Sequence, residues 1–286
     1  MASNPVFDRI DKESSRGYAG FTRAPQASTA GMAATDSMSA QQLQDLYSRP
    51  SASPVQMRRV TLDDVVMKTA GLFAIVLVMA AVGWLLSPTS FGGLVVLGGI
   101  AVTLVLGLVI AFKKTISVPL ILLYAVAEGL FVGAISESYS TFFDKDPNTP
   151  IFQGIVAQAI MATLCVFAGM LIAYKTGIIK VTEKFRRIVT MAVIGYAIFA
   201  LINLVYALVA HQSFGIGGTG ALGFGISLFA IVLASAMLAV DFDSIDRAIS
   251  AGAPEKYSWL LAHGLVVTLV WLYLEILRLL GRMRSN

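Results

Sequence analysis

Charge and cysteine are what this sequence has least of. Only 13% of its 286 residues are Asp, Glu, Lys or Arg; there is one cysteine, Cys165, and there are two histidines, His211 and His263. A single cysteine inside an apolar run excludes a disulfide framework and leaves the redox compartment undetermined. Histidines on different apolar segments argue against a His-based metal centre. No Walker loop, HExxH pair or CxxC is present, and the Gly-x-Ser-x-Gly and Gly-x-Gly-Asp patterns of intramembrane proteases are missing. No nucleophile and base stand at matching depth, so neither an enzyme nor a cofactor is expected. The first residues, MASNPVFDRIDKE, are polar and do not read as a signal peptide.

Apolar residues take the place of charge. They make up 57% of the chain, and the mean hydropathy is +0.77. A soluble protein of this length could not hide that much apolar surface, so the class is an all-α integral membrane protein. The pI near 9.2 does not imply a nucleic-acid partner. Its Lys and Arg residues stand mostly in short segments between apolar runs, as topology determinants do.

Residues 1–60 read as a disordered cytoplasmic N-terminal tail. QASTAGMAATDSMSAQQ and SRPSASP have few large apolar residues, so burial cannot offset ordering entropy. Thr61 then offers an N-cap, with Asp63 and Asp64 in the first helical turn. Residues 61–286 form the membrane domain. Seven apolar segments, near 69–86, 92–112, 118–137, 152–174, 188–210, 221–240 and 258–280, are each long enough for a hydrocarbon core of roughly 30 Å.

The distribution of cations favours a cytoplasmic N-terminus for this multi-pass chain, whose expected location is the plasma membrane. Arg58, Arg59, Lys68, Lys113, Lys114, Lys175, Lys180, Lys184, Arg186, Arg187, Arg247 and Lys256 fall on one side. The opposite loops hold Lys145 with Asp144 and Asp146. Arg278, Arg282 and Arg284 go against this pattern. Either a short translocated tail tolerates them after seven full spans, the favoured reading, or the last segment is a re-entrant hairpin.

Small residues, among them Gly129 with Gly133, Gly92, Gly93, Gly98, Gly99, and Ala230 with Ala234, permit close helix packing. GIGGTG at 215–220 matches G-x-G-x-x-G, but it falls in a turn between apolar segments. A dinucleotide fingerprint needs a βαβ setting, so the match is rejected.

Intramembrane acids carry the functional signal. Glu128 lies at the middle of the third segment, where a carboxylate costs about 2.5–3.5 kcal/mol on insertion scales and normally faces the bundle interior. Two readings are open: an interhelical hydrogen bond, or a proton or cation site on an internal path. Asp241, Asp243 and Asp246 end the sixth segment. At about 100° per residue, Asp241 and Asp243 point some 200° apart, so one of them faces inward. An Asp241–His263 pair is one option, and a lone satisfied histidine is the other. Glu275 and Arg278, at i and i+3, form a self-neutralising pair by default.

Three stretches together resemble the Bax inhibitor-1 family: AVAEGLFVGAIS in the third segment, AVDFDSI ending the sixth, and VVTLVWLYLEILRLLG closing the chain. The resemblance covers about residues 61–283 and is nearest to a bacterial, YccA-like branch. It implies seven transmembrane helices, a central last helix wrapped by six others, and a Ca²⁺ leak under pH control. The family's acidic dyad pairs an acid ending the sixth span with one in the seventh, and a basic residue ends the second. On this pattern Asp241 takes the first role, with Asp243 as alternative, and Lys113 or Lys114 the basic one. Anchoring on ILRLLG places Thr268 where the second acid belongs, and Glu275 lies too far along the helix to share a proton with Asp241. The dyad is therefore broken, and Glu128, at similar depth to Thr268, is expected to supply the missing carboxylate. Calcium or protons would be the moving ions, with weak Ca²⁺ transit at Glu128 or Asp241. The alternative is a membrane-embedded interaction protein modulating a membrane-bound ATP-dependent protease or stress response.

Overall fold

The computed structural model describes residues 58–113, 115–144, 150–211 and 214–285. Most of the tail, together with Lys114, Lys145 and Asp146, lies outside them. Among the described residues there are seven helices long and apolar enough to cross a membrane: α1 (Leu62–Leu86), α2 (Gly92–Phe112), α3 (Val118–Phe143), α4 (Ile155–Lys175), α5 (Glu183–Ala210), α6 (Ala221–Ser250) and α7 (Tyr257–Ser285).

Local chemistry sets the helix starts. Thr61 and Asp64 close a capping box: the Asp64 amide donates to Thr61 Oγ1 at 3.2 Å and the Thr61 amide to Asp64 Oδ2 at 3.2 Å. Thr182 caps α5 by accepting from the Phe185 amide at 3.2 Å. Pro119 opens α3, where a missing N–H costs nothing. Several helices outrun the apolar segments read from sequence. In particular, α6 continues through Asp241, Asp243 and Asp246 to Ser250.

The last helix is the axis. α7 packs against α1, α3, α4 and α6, while α2 rests on α3 and α5 on α6. Direct packing around α7 thus comes from four helices rather than six; α5 reaches it through the Tyr196 side chain. The α1–α3 contact is close because Gly83, Gly129 and Gly133 stand where a Cβ would run into the facing backbone.

Both ends of α7 are fastened. At its start, the Val60 amide donates to Ala253 O and the Glu255 amide to Arg58 O, each at 2.8 Å. Residues 58–60, assigned to the tail by composition, therefore run against the α6–α7 turn, with Val60 buried. At its far end, Arg282 is fully buried. It donates to the carbonyls of Gly218 at 3.0 Å, Gly223 at 2.6 Å and Phe214 at 3.2 Å, and to the Ser227 hydroxyl. Arg284 bonds Asp144, Gln153 O and Gln158. Helix α7 is thus a full crossing, ending at the α5–α6 turn. Its arginines are absorbed by structure: Arg278 by Glu275, Arg282 by backbone carbonyls, Arg284 by the α3–α4 connection.

Candidate functional site

Polar side chains gather at two levels along α7. The first lies in the half nearer the chain's start into the membrane. On α3, Tyr124 and Glu128 stand one turn apart on the same face, and the tyrosine hydroxyl donates to Glu128 Oε1 at 3.1 Å. Glu128 is buried, and its Oε2 has no hydrogen-bond partner among the described residues. Tyr124 also meets His263 of α7 edge-to-face, with ring centroids 4.6 Å apart. On α6, the Asp241 carboxyl faces the Thr268 hydroxyl of α7. Asp241 Oδ2 is out of solvent reach and likewise accepts no hydrogen bond. Thr268 Oγ1 also stands 3.1 Å from Gly264 O, a second acceptor for its single proton.

These placements sort the residues named from sequence. Asp241 and Thr268 face each other between α6 and α7. Glu128 points into the bundle, but no hydrogen bond or ion pair joins it to Asp241 or Thr268 among the described residues. His263 and Thr268 point about 140° apart on α7, so the two acids approach that helix from different faces. His263 is buried beside Tyr124 and does not hydrogen-bond Asp241.

Asp243 faces the other way, toward α5, where it binds buried Arg186 and accepts from Arg247 Nε at 2.9 Å. Arg247 continues to Glu183, and Tyr174 donates to Asp246 at 2.8 Å. Lys113 is exposed at the end of α2 and forms no ion pair with Asp241 or Asp243. Arg186 is thus a basic partner of Asp243 near the end of α6. Reading it only as a topology charge hid that role. Tyr124 was visible in principle, one helical turn before Glu128.

Glu275 forms the second level, toward the far end. It is buried and accepts from Tyr196 at 2.6 Å, from Trp271 Nε1 at 3.3 Å, and from Arg278 through both oxygens at 3.2 Å. Each of its oxygens is satisfied, which is the signature of a structural ion pair. No group of three or more His, Cys, Asp or Glu that could hold a metal occurs among the described residues. A cation could meet one or two carboxylates here, far short of the six to eight oxygens of a Ca²⁺ store.

A family model described as Bax inhibitor 1 like matches residues 4–285. It takes in the N-terminal segment that the three motifs leave out. No curated protein matches the chain.

Proposed function

The chain belongs to the Bax inhibitor 1 like family, and on that premise we propose that it is a pH-sensitive cation leak with Ca²⁺ as the principal ion. One observation carries this reading. Glu128 and Asp241 each place a carboxyl oxygen inside the bundle with no hydrogen-bond partner among the described residues. A purely structural acid at such depth is normally satisfied at every oxygen, as Glu275 is. Oxygens left over can take up and release a proton or touch a passing cation. The Arg186–Asp243–Arg247–Glu183 chain then stands at the mouth of the path, where its charges would meet an entering ion. The pathway is passive rather than enzymatic. It lies in a bacterial plasma membrane, with the cation-rich loops and the N-terminus on the cytoplasmic side.

Ca²⁺ flux into liposomes carrying the full chain, measured at pH 6 and pH 8, tests the reading. The wild type is expected to differ between the two conditions, and Glu128→Gln to abolish the difference. Equal flux from both proteins would shift the switch to Asp241. Flux no greater than in empty vesicles at both pH values would overturn the leak. In that case the second reading, a membrane-embedded partner of an ATP-dependent membrane protease, takes its place. It draws support from the family match reaching residue 4, which makes the N-terminal segment part of the family pattern.

A further inference from the structure

Helices α1 and α4 both lean on α7 but do not pack closely on each other. Between them lies a cavity of about 990 Å³, floored by α3, α6 and α7. Its α1 wall runs from Leu62 to Leu85. At 1.5 Å per residue that is roughly 35 Å, the full depth of a hydrocarbon core. Its walls are almost wholly carbon. Of the bordering hydroxyls, Thr163 donates to Ala159 O at 2.7 Å, Ser136 bonds Tyr273 at 2.7 Å, and Thr69 Oγ1 is buried with no hydrogen-bond partner among the described residues. Apart from that one hydroxyl nothing in the groove calls for water, and in a bilayer it fills with hydrocarbon.

Charge decides which hydrocarbon lies in the groove. An acyl chain, only about one carbon–carbon contact wide at ~4–5 Å, lies within it. The groove also has a cationic end. Phe167 and Leu171 line it on α4, and Lys175 follows one turn later on the same face. Lys175 is exposed and forms no ion pair among the described residues. That end is also where α1 begins.

We infer that the α1–α4 groove is a phospholipid site, with the lipid phosphate held at Lys175 and an acyl chain laid between the two helices. The occupant comes from the leaflet facing the chain's start, since Lys175 stands at that end. The site is separate from the buried acids and does not depend on ion conduction.

Native mass spectrometry of the full chain, extracted in mild detergent, tests this. The wild type is expected to retain one phospholipid. Ala70→Trp and Ala81→Trp, both at exposed positions lining the groove, are expected to lose it by filling the space. Lys175→Ala should lower retention at least threefold. Val78→Trp, exposed on α1 outside the groove, should keep it. Retention that is absent in the wild type, or equal in all variants, would overturn the site. So would a dimer that the two groove-filling substitutions dissociate, because a second copy would then be the occupant.

Discussion

Arg282 of α7 donates through Nη1 to the carbonyl of Gly223 at 2.6 Å, pinning the end of the central helix to the first turn of α6. Its other donors take the Phe214 and Gly218 carbonyls and the Ser227 hydroxyl, so one side chain satisfies most of a loop. No carboxylate shares the contact. The guanidinium is held by backbone carbonyls, one hydroxyl and the face of the Phe214 ring, 5.6 Å away.

Replacing it should therefore unfasten the far end of the bundle. Arg282→Gln is expected to destabilise the protein by about 3 kcal/mol, because buried carbonyls lose a charged donor. Arg282→Lys should recover only part of this, since a single ammonium cannot reproduce the planar fork. Thermal unfolding in detergent measures both.

Asp241 and Asp243 should respond oppositely to the same change. Asp243→Asn removes the carboxylate that Arg186 and Arg247 share and should cost about 3 kcal/mol. Asp241→Asn removes a carboxylate whose Oδ2 has no partner, and should leave stability within about 1 kcal/mol or raise it. Parallel melting curves for the two variants decide the matter. Equal losses would contradict the assignment of different faces to the two acids.

Glu275→Gln tests the structural role at the second level. The amide keeps an oxygen for Tyr196 but weakens the Arg278 bridge, so a loss of about 1–2 kcal/mol is expected. The pH dependence of Ca²⁺ flux should be unchanged. A flux that lost its pH response would place Glu275 on the path instead.

Glycines on neighbouring helices should also divide. At Gly133 an added methyl group would fall against the Ala80 backbone, so Gly133→Ala should force α1 and α3 apart and sharply reduce folded yield. At Gly98 nothing stands within 4 Å of a new Cβ. Gly98→Ala should raise stability by roughly 0.5–1 kcal/mol by restricting the unfolded chain. Size-exclusion profiles and melting temperatures report both outcomes.

The helices were readable because lipid demands an uninterrupted apolar run. Gly92 to Phe112 emerges from the letters with both bounds in place. What lipid does not touch was harder. Helix α6 carries on past its apolar run because Asp243 and Asp246 find partners on α5 and α4, which hydropathy does not register. The pairing of Asp241 with Thr268 was accessible only through a motif anchor. The choice of Arg186 over Lys113 as the nearest cation depended on which helices adjoin. Arg282 looked like a topology exception because a charge near a chain end reads as solvated. Its burial follows from the α5–α6 turn folding over it.

Residues 58–60 form a short antiparallel strap with the turn that leads into α7, and Lys68 of α1 reaches Glu255 at 3.2 Å and Ser258 at 2.6 Å in the same place. The first described residues of the chain are thus bonded to the base of its last helix. A pull on Arg58 therefore reaches the start of α1 and the base of α7 together, and the first and last helices of the bundle answer it as one body.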